Sequence, residues 1–233
     1  MAEYRRVPKA LREEDFTRLR DAVMGSPFVA SSQLNGAFRT SRGFGVAFTT
    51  EGRARVVAEF PQLEPFLSLA IDGLAEAQLR AFWARKAVPK PNAWYMNLLL
   101  VGSAGGVEPH IDATLAKAAG VEGATPRVVS VLYLQVPQSR GGELVLARGK
   151  KLAGVIPPVE RTLLHFRGDL EHQVLALQDA PKEAARASLV LEQYWFEPAA
   201  LARLPAYRLD SRAKFRLALD AAAKRPAPEL DFE

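Results

Sequence analysis

Apolar positions along this chain follow two different rhythms. Up to Pro91 they recur at steps of three and four, the spacing that gathers side chains on one face of a helix. Phe16, Leu19 and Val23 do so within Glu13–Val23, which predicts a first helix. A longer one is predicted from Leu63 to about Ala87, where Phe66, Leu67, Ala70, Ile71, Leu74, Ala77, Leu79, Phe82 and Trp83 form a broad apolar face. Pro89 and Pro91 end it, because proline lacks the N–H donor and restricts the residue before it. Between the two, SSQLNGAFRTSRGFGVAFTT mixes Ser, Gly and Thr with Phe38, Phe44 and Phe48 and reads as loop plus short strands. Gly43 and Gly45 there mark turns or close backbone approach.

From Trp94 onward the rhythm shortens. AWYMNLLLV, RVVSVLYLQV, GELVLA, RTLLHF, HQVLAL and ASLVLEQYWF are short runs of β-branched, leucine and aromatic residues. Turn clusters such as GSAGG, PQSRGG and PPVE separate several of them. So many strands in so short a stretch predict an antiparallel sandwich or barrel. Helical spacing returns after Pro198 in SRAKFRLALDAAAK, and the tail RPAPELDFE is expected to fray. The expected class is mainly β with flanking helices (α+β). Residues 1–92 are expected to form a helical and loop region packing on the core, 93–198 the β-core, and 199–233 a helix and tail, all within one domain.

Composition narrows the function. A chain of 233 residues can bury one sizeable core. With 48% hydrophobic and 24% charged residues it has the ordinary globular mix, so disorder is not the default. The absence of cysteine excludes disulfides, thiolate metal sites, iron–sulfur clusters and cysteine nucleophiles. No apolar run is long enough to cross a bilayer, and MAEYRRVPKALREEDF carries charge where a signal peptide needs an apolar stretch. A soluble cytoplasmic protein with no membrane partner is expected. The net charge of +5 would suit an anionic partner, but the basic residues are scattered among acids, so a nucleic-acid partner is not favoured.

The candidate chemistry lies in the β-region. Of the three histidines, His110 is followed two residues later by Asp112 in VEPHIDATL. On an extended strand, alternate side chains share a face, so the pair can aim an imidazole and a carboxylate at one point. His172, at the start of HQVLAL, supplies a second imidazole. Two imidazoles and one carboxylate on a β-scaffold make the facial triad of non-haem iron(II), with three coordination positions left open. Arg186 opens the strand ARASLVLEQYWF; its planar, permanently charged fork suits a dicarboxylate. Ser188 lies on the same side two residues on, and Tyr133 in VLYLQV is a further donor. Asn97, an amide in the apolar run MNLLL, is expected to face the pocket.

With these residues in order, the segment from about Trp94 to Phe196 resembles the iron(II)/2-oxoglutarate dioxygenase superfamily, in particular its prolyl-hydroxylase-like branch. PHID matches the metal-binding His-x-Asp. RVVSVLYLQVPQSRGGELVL is similar to the family's strand and Gly-Gly-Glu-Leu turn, RTLLHFRGDLEHQVLAL to the stretch bearing the second metal histidine, and RASLVLEQYWF to the strand bearing the co-substrate arginine. The resemblance implies a double-stranded β-helix core of the jelly-roll or cupin type. It implies Fe(II) held by His110, Asp112 and His172, and 2-oxoglutarate as co-substrate with Arg186, Tyr133, Ser188 and Asn97 around it. It also implies consumption of O2, with decarboxylation of 2-oxoglutarate to succinate and hydroxylation of a small molecule, amino acid or peptidyl residue. Halogenases of the superfamily lack the carboxylate ligand, so Asp112 points to hydroxylation, desaturation or ring formation. Leu100 and Val101 stand where many members place a tyrosine near the co-substrate; Asn97 or Tyr95 is the candidate substitute.

Two other functions compete. A nucleic-acid repair demethylase of the same superfamily carries Arg-x-Asn-x-Thr-x-x-Arg around the co-substrate arginine, which RASLVLEQ fits poorly. A non-enzymatic cupin-like metal module would give Arg186 and Tyr133 no reason to face the metal. His165, inside RTLLHF, is read as packing or as a donor behind the ligands. Gly141 and Gly142 are read as turn geometry. Arg39 and Arg42 in RTSRGFG are the candidates for an anionic substrate group, and the protein is expected to be a monomer or homodimer.

Overall fold

The computed structural model describes residues 3–26, 44–74, 76–83, 88–102, 105–181 and 184–210. Arg39, Arg42, Phe38, Gly43 and the expected C-terminal helix lie outside the described residues. The strands among those described are β1 (Tyr4–Val7), β2 (Gly45–Thr49), β3 (Ala93–Gly102), β4 (Val107–His110), β5 (Val128–Gln135), β6 (Arg140–Gly141), β7 (Leu144–Arg148), β8 (Lys151–Ile156), β9 (Leu163–Arg167), β10 (Glu171–Val174), β11 (Leu177–Gln178), β12 (Ala185–Tyr194) and β13 (Tyr207–Asp210). The helices are α1 (Glu13–Met24), α2 (Arg53–Glu59), α3 (Glu64–Leu67), α4 (Glu76–Trp83), α5 (Ala116–Ala119) and α6 (Pro198–Leu201).

Seven strands form the major sheet in the order β1-β9-β5-β12-β3-β2-β13, and four form the minor sheet in the order β4-β10-β7-β8. Neighbouring strands pair antiparallel throughout both sheets. β12 is central: it pairs along its whole length with β3, from Ala185 opposite Gly102 to Tyr194 opposite Ala93, and with β5 on its other side. The period of two then sorts every side chain. Leu99, Val101, Val129, Val131, Tyr133, Leu164 and Phe166 of the major sheet pack against Val107, Leu144, Leu146, Ile156 and Val174 of the minor one, between the sheets. Their sequence neighbours Leu98, Leu100, Leu132, Leu163, Leu189 and Leu191 point the other way, onto Phe16 and Leu19 of α1, Val56 of α2 and Phe66 and Leu67 of α3. The result is the expected jelly-roll core with helices stacked on the outer face of its larger sheet. No helix among the described residues is long and apolar enough to cross a membrane.

The structure departs from the sequence reading in three places. The helix expected from Leu63 to about Ala87 is broken into a 3-10 turn at Pro61–Leu63, α3, a π-turn at Ser68–Asp72 and α4. Gly73 ends the π-turn, and glycine is the weakest non-proline residue in a helix interior. Beyond the break, Leu79 and Phe82 of α4 pack on Val128, a different part of the core. β1, β2 and β13, drawn from either side of 93–198, extend the major sheet. β8 carries exposed Leu152 and Val155 on an outer edge, so its apolar pattern is not that of a core strand. Gly45 does mark close approach: a β-carbon there would collide with the Tyr95 hydroxyl.

His165 faces the helical layer, away from the sheet interior occupied by Leu164 and Phe166. Gln193 Nε2 donates to Ser130 Oγ (2.8 Å) and to the Ala70 carbonyl (3.1 Å), and Trp94 Nε1 donates to Gln193 Oε1 (3.3 Å). Having accepted from Gln193, the Ser130 hydroxyl keeps its proton for Nδ1 of His165, 2.8 Å away. Burial, with the charge of Arg5, pushes the imidazole down to about 4 from 6.5. The unfolded chain therefore binds a proton that the folded chain refuses. Stability should fall as pH drops from 6.5 towards 4, with about 3 kcal/mol assignable to this group. His165→Asn should flatten that part of the profile in urea denaturation across the same range. An unchanged slope would show that the imidazole is not held neutral.

Candidate functional site

The minor sheet assembles the first half of the site. β4 and β10 pair with His110 directly opposite His172, so the two rings lie side by side with centroids 4.3 Å apart. Asp112 follows β4 two residues after His110, with its carboxylate beside the His110 ring; Ile111 between them faces solvent at 45% exposure. Nδ1 of His110 lies 2.8 Å from the Glu108 carbonyl, and Nδ1 of His172 lies 3.2 Å from the Leu170 carbonyl. A carbonyl only accepts, so each Nδ1 carries a proton, which leaves Nε2 of either ring to present a lone pair whenever that ring is neutral. Both Nε2 atoms lie 3.4 Å from the Asp112 carboxylate, His110 at Oδ1 and His172 at Oδ2.

This arrangement brings lone pairs from three side chains together, within 4.8 Å of one another. Asp112 Oδ2 is buried and accepts no hydrogen bond. Burial alone would raise the Asp112 carboxyl, but His172 and His110 hold it below the usual carboxylate range. For His172, burial dominates and pushes the imidazole down, keeping it neutral. For His110, burial is outweighed by the Asp112 carboxylate and the Glu108 carbonyl, which raise it. Two neutral imidazoles and an ionised carboxylate are the protonation states a metal requires, and a nitrogen and oxygen donor set suits a divalent iron-type ion.

β12 builds the second half. Arg186, Ser188, Val190, Glu192 and Tyr194 alternate along its interior face. Arg186 is 1% exposed. Its Nη1 donates to the Gly142 carbonyl (2.6 Å), and its guanidinium lies 5.3 Å from the centroid of the Tyr133 ring. Its Nε has no hydrogen-bond partner. Burial pulls the guanidinium down from its ordinary value; the Tyr133 phenol works the other way, and no carboxylate among the described residues does so. Around it, Tyr133 Oη, Ser188 Oγ and Asn97 Oδ1 are buried without partners. Ser188 stands directly opposite Tyr133, and Val190 opposite Asn97. A cation and several unanswered polar atoms thus occupy one side of the interior.

The sequence-derived candidates fall into place as two groups. His110, Asp112 and His172 converge, and Arg186, Tyr133, Ser188 and Asn97 share the interior face of the major sheet. Val101 faces the interior opposite Arg186 while Leu100 points to the helical layer, so the aromatic ring beside the arginine comes from Tyr133. Gly142 does more than turn the chain. At φ +76° it brings its carbonyl onto Arg186, and a β-carbon there would press on Leu177 at 2.9 Å. Glu192 is the residue the sequence reading passed over. It is 3% exposed, accepts a hydrogen bond from Thr114 Oγ1 (2.7 Å) and a second from the Tyr194 hydroxyl. Burial and the nearby charge of Asp112 push its carboxyl well above the usual range. The signal was its position in ARASLVLEQY: three pleats from Arg186, it must share the arginine's face.

No protein-family model and no curated protein sequence matches the chain. Solved structures do match it in fold. A prolyl-4-hydroxylase from Pseudomonas putida superposes with a TM-score of 0.60 at 14% identity, over 84% of this chain and 95% of that one. A prolyl hydroxylase from Trichoplax adhaerens, solved with a peptide fragment of the hypoxia inducible factor oxygen degradation domain, gives 0.57 at 18% identity, over 88% and 89%. A viral collagen prolyl hydroxylase from Paramecium Bursaria Chlorella virus-1, solved with 2-oxoglutarate, gives 0.52 at 14% identity, over 81% and 94%. The fold shared with these oxygenases is the one that the motif resemblance implied.

A buried cation that serves the fold should be missed when it is removed, whereas one kept for a ligand should not. Arg186→Met is therefore expected to leave thermal stability unchanged or to raise it by up to about 1–4 kcal/mol, as apolar replacements of buried ions often do. Loss of stability on that scale in calorimetry would mark Arg186 as a structural strut.

Proposed function

We propose that this chain is an iron(II)- and 2-oxoglutarate-dependent oxygenase that hydroxylates a small molecule, an amino acid or a peptidyl residue. The observation that carries the reading is Arg186: a guanidinium shut inside the sheet sandwich, without a carboxylate partner among the described residues, in the same interior as two imidazoles and a carboxylate that converge. A metal-binding module accounts for the triad and leaves the arginine unexplained. A dicarboxylate reaching from one group to the other accounts for both.

His110, Asp112 and His172 would hold the iron, and Arg186 with Tyr133 and Ser188 would hold the distal carboxylate of 2-oxoglutarate. When bound, iron and co-substrate supply the oxidation, in which 2-oxoglutarate and O2 yield succinate and CO2 and one oxygen atom enters a substrate C–H bond. The chain does the rest. Asp112 stays ionised because the imidazoles beside it favour the anion, and His172 stays neutral because it is buried. Burial keeps the Tyr133 phenol protonated, so that it can donate to a carboxylate. Leu99, Val101, Leu144 and Leu146 wall the interior and keep water from the reacting groups. The carboxylate at Asp112 favours hydroxylation, desaturation or ring closure. The peptide bound by the Trichoplax structure supports a peptidyl substrate as one option.

Purified chain supplied with Fe(II), 2-oxoglutarate and O2 should form succinate, and a panel of amino acids and proline-containing peptides should stimulate it. Asp112→Ala should abolish turnover while leaving the folded circular dichroism spectrum intact; an active variant would remove Asp112 from the metal shell. Arg186→Met should raise the KM for 2-oxoglutarate at least about 30-fold, the equivalent of about 2 kcal/mol for a buried charge pair. An unchanged KM would refute the role given to Arg186.

A further inference from the structure

The oxidation proposed above has no use for Glu192. Yet a buried carboxyl is costly unless hydrogen bonds satisfy it, and an apolar side chain would fill the same space at less cost. Its partners suggest what it is for. Tyr194, next on the same face of β12, donates to one carboxyl oxygen, and Thr114 donates to the other at 2.7 Å. Thr114 lies two residues beyond Asp112, in a segment that has already left the sheet. The β4–β10 ladder ends at the pair His110 and His172, and residues 111–113 have no regular structure before the short helix α5. Oδ2 of Asp112 receives no hydrogen bond that could fix its direction. The bond from Thr114 to Glu192 ties this segment, two residues after the carboxylate, to the central strand of the major sheet.

We propose that Glu192 is a positioning residue for Asp112: acting through Thr114, it sets the aim of the carboxylate and so the affinity of the site for its metal. The inference rests on the reading of His110, Asp112 and His172 as metal ligands. Two anchors divide the work on the Glu192 carboxyl. Tyr194 stops it rotating, and the remaining oxygen takes Thr114. β12 then fixes both ends of the site, the co-substrate end through Arg186 and the metal end through Glu192.

The test uses the full metal-free chain and Mn(II) or Co(II), without 2-oxoglutarate or substrate. Thr114→Val and Glu192→Leu should each weaken metal binding by about 10–100-fold, the usual effect of losing a group that orients a ligand. Each should also change the visible spectrum of the Co(II) form. Glu192→Gln keeps an acceptor for Thr114 and a polar partner for Tyr194, and should restore affinity and spectrum. The Thr114→Val/Glu192→Leu double variant should be no weaker than the worse single one, because both act through the same contact between Thr114 and Glu192. In the metal-free protein, amide hydrogen exchange over residues 112–116 should quicken in Thr114→Val and stay unchanged in Glu192→Gln. If Glu192→Leu does not fold, Thr114→Val decides. A folded Thr114→Val with wild-type metal affinity and wild-type exchange overturns the inference while leaving the metal site intact. A wild-type chain that binds neither metal overturns the site reading along with it.

Discussion

Burying Arg186 removes a permanent charge from water, and no carboxylate among the described residues offsets the loss. Tyr133 offers its ring and Gly142 one carbonyl, which is far less than the hydration given up. Across the same interior stands the opposite imbalance. Two imidazoles and a carboxylate bring their ligand atoms within 4.8 Å of one another. Neither imbalance can be relieved by moving to solvent, because Arg186, His110 and His172 sit on paired strands and Asp112 is held beside the two imidazoles. A metal cation satisfies one, an organic anion satisfies the other, and a chelating dicarboxylate couples the two. The functional reading follows from that pair of unmet demands more than from any single motif.

The fold produces this situation with the simplest property of a strand, the alternation of its side chains. On β12, even-numbered residues from Arg186 to Tyr194 face inward and the odd-numbered leucines face the helices, so one strand supplies both reactive polarity and outer core. On β4 and β10, antiparallel register sets His110 against His172 without any loop having to close. Only Asp112 lies beyond the ladder, and there a tertiary hydrogen bond takes over from the sheet. The helical layer on the opposite face buries the leucines that hold β12 in place. Its own polar chain, from Trp94 through Gln193 and Ser130 to His165, is sealed from the reactive interior.

How much of this could be read in the sequence depended on the range of the interaction. The His-x-Asp pair and the strand bearing Arg186 were legible because a period of two is a local rule. The runs that form β3, β5, β7, β9, β10 and β12 were legible because turn clusters bound several of them, whereas their order in the sheets was not. The break at Gly73 was not, since the apolar face runs on through it and only the separate packing of Leu79 and Phe82 shows that the chain has turned. β1 and β13 carry too much charge to look like strands and are recruited by the edges of a sheet that already exists. β8 lies on an edge with Leu152 and Val155 outward and Ile156 in the core, so burial shaped only part of its pattern. Glu192 was hidden for another reason. Its meaning comes from Thr114, far away in sequence, and a lone acid in an apolar strand does not announce its partner.

If the two halves form one site, metal and 2-oxoglutarate must bind cooperatively, and by the same factor in either order. Calorimetric titration of 2-oxoglutarate into the chain with and without Mn(II), matched by titration of Mn(II) with and without 2-oxoglutarate, measures that factor directly. The expected result is a factor well above one, equal in the two directions, with 2-oxoglutarate bound more weakly by Arg186→Met. A factor of one in the wild-type chain, with each ligand indifferent to the other, would mean that the arginine and the triad do not share a ligand.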